Sequence, residues 1–206
     1  MLLGWYADYL GFEFNTILIG LLHDNHAMAA WVSIMNISGL GFVIGSGMSM
    51  CMRTICATKI GENKNQEAKK YGKMCYILIM AVAITFGTCL SVFASSFASI
   101  YTNIPEVQEY LIPMIRIDGF VIWFSGIGAC VATLLRVAGK ACILSMLMGF
   151  NNLIVFDGLS FLFLYYFKLG PVSVMYSFLI EYCISILVGS FIVFKFDWRK
   201  IPKANK

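Results

Sequence analysis

Apolar positions along this chain come in long unbroken runs, separated by short polar stretches. The interruptions fall at residues 22–26 (LHDNH), 59–73 (KIGENKNQEAKKYGK), 101–110 (YTNIPEVQEY), 136–140 (RVAGK), 168–171 (KLGP) and from Lys195 onward. They leave apolar segments at residues 2–22, 27–57, 74–100, 111–135, 141–167 and 172–194. A helix needs roughly 20 residues to cross the hydrocarbon of a bilayer, and each segment is that long. The runs are too long and too continuous for the ten-residue alternating strands of a membrane barrel. The pattern predicts an all-α fold: a polytopic membrane bundle of about six transmembrane helices over residues 1–194, followed by a basic tail at 195–206.

Composition agrees with that pattern. Of the 206 residues 60% are hydrophobic and only 13% charged, and the mean hydropathy is +0.81. A soluble domain has about 25% charged residues, so lipid must cover the surface that charge here cannot. The first residues run straight into an apolar stretch holding Asp8 and Glu13, without the basic start and small-residue cleavage site of a signal peptide.

Charge orients the bundle. Lys59, Lys64, Lys69, Lys70 and Lys73 fill the second connection, Arg136 and Lys140 the fourth, and Lys195, Arg199, Lys200, Lys203 and Lys206 the tail. The first, third and fifth connections carry Lys168 alone among Lys and Arg, beside Asp24, Glu106 and Glu109. Basic residues gather on the cytoplasmic side of membrane proteins. Alternate loops are basic, so both termini are expected in the cytoplasm.

Five carboxylates remain inside the expected spans: Asp8, Glu13, Asp118, Asp157 and Glu181. Each costs about 2.5–3.5 kcal/mol at the bilayer centre, so such groups turn to a protein interior or a water-filled cavity and often carry function. Glu13 lies mid-span, with Thr16 and Gly20 along roughly one face. Asp8 is roughly 140° round that helix from Glu13. Asp118 and Ser125 are seven residues apart and share a face. Arg116 lies near the outer end and is expected to reach toward the headgroups. Asp157 and Glu181 are expected deep, pairing with hydroxyls on neighbours. His23 and His26 lack a third ligand, so no metal is expected. The seven cysteines form no CxxC and read as buried or lipid-facing thiols. No nucleotide-binding or hydrolase motif occurs, so neither enzymatic activity nor a cofactor is expected, and nothing points to nucleic acid. No filter-like repeat suggests a channel.

Several runs together resemble one family. DYLGFEFNTILIGLL resembles the seventh span of eukaryotic multidrug and toxic compound extrusion (MATE) transporters, where two acidic residues five apart precede Gly-Leu-Leu; these positions fall on Asp8 and Glu13. IGENKNQEAKKYGK resembles the loop after the eighth span, IYTNIPEVQEYLIP the loop before the tenth, LLRVAGK the turn after the tenth, and FDWRK the end of the twelfth. The resemblance is collinear over the carboxy-terminal six-helix lobe. It implies half of a two-lobe transporter, an antiporter exporting organic, often cationic, compounds or xenobiotics in exchange for H+ or Na+. Its implied substrate and ion contacts are Asp8 and Glu13, helped by Asn36, Asp118 and Ser125. Its implied partners are the lipid bilayer, a small organic substrate, and a second six-helix lobe or another copy of the chain. The sequence departs from the family at Ser125, where the tenth-span acidic residue falls, with Asp118 as a substitute two turns outward. Val137 and Ala141 replace a turn glycine and a glutamine, and the proline of the eleventh span is absent. These departures motivate a second reading, a truncated and non-transporting paralogue or assembly partner.

Overall fold

The computed structural model describes the backbone of residues 2–137 and 139–195, and side chains from Tyr9 to Ile192 except Ala138. Within these residues the chain forms α1 (Leu2–Gly20), α2 (Asn25–Gly61), α3 (Asn65–Val92), α4 (Ala94–Tyr101), α5 (Pro105–Val137), α6 (Ala141–Phe150), α7 (Asp157–Phe161) and α8 (Ser173–Lys195). Two π-helical stretches, Asn151–Phe156 and Leu162–Tyr166, join and extend α6 and α7. These segments make one continuous fifth span, Ala141–Tyr166. Among the described residues five helices are long and apolar enough to cross a membrane; α1, 19 residues long, is the first of the six expected. The protein is an all-α, multi-pass membrane bundle.

The connections are shorter than the polar stretches suggested. Residues 59–73 are almost wholly helical, because α2 runs on to Gly61 and α3 starts at Asn65. Three ion pairs stitch this turn: Lys59–Glu62 at 3.0 Å, Lys59–Glu67 at 3.3 Å and Lys64–Glu62 at 3.2 Å. Polar residues on helix ends outside the hydrocarbon lose nothing by staying helical, so polarity marks the membrane edge, not the end of the helix. At 37 residues, about 55 Å, α2 exceeds the hydrocarbon thickness. The expected third span, 74–100, is broken at Phe93 into α3 and α4.

Helix starts follow local chemistry. Asp24 caps α2, its Oδ1 accepting from the amides of His26 at 2.9 Å and Ala27 at 3.2 Å, which satisfies two of the orphan N–H groups of the first turn. Pro105 opens α5, where its missing N–H costs nothing.

The long α5 is the hub, packing against α2, α3 and α8, while α1 lies on α2 and the fifth span. Small residues set the α3–α5 approach. A Cβ on Gly87 would collide with the carbonyl of Gly119 and the indole of Trp123, and one on Gly119 with Ser91. One turn deeper on α3, a Cβ on Gly126 would sit 2.8 Å from that of Ala83. Close backbones of this kind give membrane helices the van der Waals contact that water cannot drive. The closeness also brings hydrogen bonds across the seam: Ser91 Oγ donates to the Arg116 carbonyl at 3.0 Å and Trp123 Nε1 to that of Ile84 at 3.1 Å. On the other side of the bundle Phe12, Phe156 and Phe178 meet with centroids 5.0–5.9 Å apart, joining α1, the fifth span and α8.

Candidate functional site

Among the described residues three buried carboxylates, Asp157, Asp118 and Glu181, each centre a polar group inside the bundle. The first lies between α1 and the fifth span. Asn15, fully buried, donates through Nδ2 to Asp157 Oδ1 at 2.7 Å and to the Gly11 carbonyl at 2.9 Å. Asp157 follows directly on the first π-helical stretch, and its N–H reaches back to the Asn152 carbonyl. Ser160 is fully buried one turn further on. Among the described residues, Asn15 Oδ1 and Ser160 Oγ have no hydrogen-bond partner.

The second group lies between α2 and α5. Asp118 is fully buried, and its Oδ1 accepts from Ser38 Oγ at 2.6 Å while Oδ2 has no partner among the described residues. Two turns further along α5, Ser125 donates to the Ile122 carbonyl of its own helix at 2.9 Å and lines a shallow crevice with Gly41, Gly45, Ile79 and Gly126. Asp118 and Ser125 thus both face α2, at different depths. The third group joins α8 to the fifth span: Asn151 donates to Ser185 Oγ at 2.6 Å, which donates in turn to Glu181 Oε1 at 2.8 Å.

The residues singled out from the sequence are not gathered in one place. Glu13 and Asn36 are on the surface of the bundle, and the Asn36 amide is held by the Val32 carbonyl at 2.9 Å. The side chain of Asp8 lies outside the described residues, as does the tail beyond Lys195. Thr16 does not stand beside Glu13 as a free hydroxyl. It accepts from the Trp31 indole at 2.9 Å and donates to the Phe12 carbonyl at 2.9 Å. Asp157 is met by an amide rather than a hydroxyl, and the hydroxyl at Glu181 comes from its own helix. Asn15, Ser38, Ser160, Asn151 and Ser185 went unremarked in the sequence. The available signal was weak: each is a polar residue inside an apolar run, and only folding reveals which of them meets a carboxylate.

A bundle of membrane-spanning helices that buries three carboxylates carries costly polar groups inside the membrane. Residues 6–157 match the family MatE, and the chain belongs to that family. It is 33% identical over 92 residues to the "Probable multidrug resistance protein NorM" of Geobacillus kaustophilus (strain HTA426), a match covering 45% of this chain and 20% of that protein. Its fold is similar to that of a structure described as the outward-facing conformation of a multidrug resistance MATE family transporter of the MOP superfamily. The TM-score is 0.82 at 17% identity, covering 93% of this chain and 42% of that one. It is also similar to a MOP superfamily transporter from Pyrococcus furiosus Vc1 (DSM3638), with a TM-score of 0.80 at 15% identity over 98% of this chain and 46% of that one. The chain spans less than half the length of these relatives.

Proposed function

We propose that this chain is one lobe of a secondary antiporter that exports organic, often cationic, compounds in exchange for H+ or Na+, completed by a second six-helix lobe or a second copy. The observation that carries the reading is Glu13, an exposed carboxylate in the middle of a helix. A charge at that depth is costly against lipid, so the surface bearing it belongs against protein or water. A central cavity between two lobes supplies both, and transporter sites lie at such interfaces near the midplane. Asn36 presents a second polar group on the bundle surface. In this reading Glu13 and Asp8 exchange cation or proton, Asn36 and Ser125 contact substrate, and the buried Asp118 responds to the charge state of the cavity. Membership of MatE and the NorM likeness support export of organic compounds as the direction of use.

The test is efflux of a fluorescent organic cation from vesicles carrying the chain, alone and co-expressed with an amino-terminal lobe of a relative. Glu13→Gln should abolish gradient-driven efflux at unchanged expression. Efflux that survives the substitution removes Glu13 from the mechanism. A chain that stays monomeric and inert with every partner and gradient supports the non-transporting paralogue instead.

A further inference from the structure

The charges around the turn between α2 and α3 do not all cancel. Lys59 and Lys64 are taken up by Glu62 and Glu67, in three ion pairs of 3.0–3.3 Å. Both carboxylates of the turn are thereby committed. Lys69, Lys70 and Lys73, on the first turns of α3, are exposed and enter no ion pair among the described residues. Their spacing puts them on one side of the helix. Lys69 and Lys73 are four residues apart, as are Lys70 and Met74, and Ile77 follows Lys73 by four again, so these side chains are neighbours along one face. Tyr76, three past Lys73, flanks them. Met74 and Ile77 are 56% and 57% exposed and Tyr76 38%, while Ala68, Gly72 and Ile79 on the opposite side are buried.

Of the five long apolar helices, α3 is the one that protein covers least. Of its most apolar stretch 17% is buried, against 28–39% in the other four. Lys73 stands immediately before the apolar run that begins at Met74. Side chains on a helix lean toward its N-terminus. Lysines at this end of α3 therefore carry their ammonium groups away from the hydrocarbon and into the headgroup layer, with their stems along apolar surface. A tyrosine at that level sits as in the aromatic belts of membrane proteins. Charge then selects the headgroup. A lysine ammonium is a point charge with three N–H donors, suited to phosphate oxygens. Three of them, with no carboxylate left to balance them, favour a phospholipid of net negative charge. A choline headgroup brings its own cation and is repelled. Protein is the poorer occupant, since lysine is depleted at protein–protein interfaces.

We propose that Lys69, Lys70 and Lys73 form a binding site for the headgroup of an anionic phospholipid, whose acyl chain lies over Met74 and Ile77. Glu62 and Glu67 define the site from behind. By holding Lys59 and Lys64, they leave the uncompensated charge of this turn concentrated on α3. The site needs neither transport nor a second lobe.

The test is a titration of the purified chain, in uncharged detergent, with acyl-labelled phosphatidylglycerol. Binding is read as energy transfer from a dye on Asn63→Cys in a cysteine-free background. Phosphatidylglycerol should bind saturably and more tightly than phosphatidylcholine, and added salt should weaken it. Each of Lys69→Gln, Lys70→Gln and Lys73→Gln should raise Kd about fivefold, and the three together roughly a hundredfold. Replacing all three with arginine keeps the charge and should keep the binding. Lys200→Gln, Lys203→Gln and Lys206→Gln together remove as much charge from the tail and should leave Kd unchanged. Equal affinity for the two lipids overturns the site, as does a preference that survives the triple substitution on α3. A loss matched by the tail variant assigns the attraction to net charge and overturns it too. Inorganic phosphate that competes as well as the lipid gives the lysines to free phosphate. Polyglutamate that binds where phosphatidylglycerol does not gives the face to an acidic protein. Either result overturns the lipid site.

Discussion

Asp118 is a carboxyl group with little polar company. It is sealed from solvent and, among the described residues, is met by the hydroxyl of Ser38 alone, at 2.6 Å. Leaving a buried polar group without its partner costs about 1–3 kcal/mol. Ser38→Ala removes the one bond described and should destabilise the bundle by about that much, read as a lowered midpoint of thermal unfolding in detergent. Pairing it with Asp118→Leu should recover part of the loss, since the second change removes the buried polar group that needs the bond. At the start of α2 Asp24 works close to solvent. The Ala27 amide, above all, holds its carboxyl below the ordinary range. Its folded pKa is depressed, so the cap is complete above the ordinary value of 3.8 and is lost as pH falls through the lowered value. Asp24→Ala should cost about 1 kcal/mol at neutral pH, and the gap from the parent should close in strong acid. Hydrogen exchange at the first turn of α2 measures it.

At the scale of elements, the α3–α5 seam is the tightest joint described. Gly87, Ser91, Gly119 and Trp123 interlock so closely that no side chain fits at either glycine. Overpacking a closely fitted interface costs about 1–3 kcal/mol. Gly119→Ala should therefore lower the unfolding midpoint, although alanine is the better helix former. A raised midpoint would mean that the two helices are not held at this distance. The fifth span teaches the opposite lesson. Its residues are as apolar as those of its neighbours, yet it departs twice from α-helical register. No residue type in Asn151–Phe156 announces this, because a π-helical turn answers to what the side chains meet across the bundle.

At the scale of the whole molecule, orientation is the open quantity that the charges address. Single cysteines placed at Asn63 and Asn103 in a cysteine-free background should react with an impermeant thiol reagent from opposite sides, Asn63 from the cytoplasm. Labelling of Asn63 from outside intact cells would reverse the topology. The helical bundle and its spans were legible because membrane thickness imposes a minimum run of apolar residues, a property of consecutive positions. The candidate site was legible only as a set of costly carboxylates. Asp118 and Asp157 stood out as charges in apolar runs, while Ser38 and Asn15 did not, since a serine or asparagine in a span has many ordinary roles.

The amino-acid sequence by itself determined that this protein lies in a membrane, where its helices cross, and which residues are too costly to leave against lipid. These follow from transfer energies and from the fixed rise of a helix, and both act locally. Only the tertiary structure decided that Asp157 meets Asn15, 142 residues away, that Asp118 meets Ser38, and that Glu13 stays outside the bundle. Those pairings arise where packed helices approach one another, and no single stretch of chain encodes them.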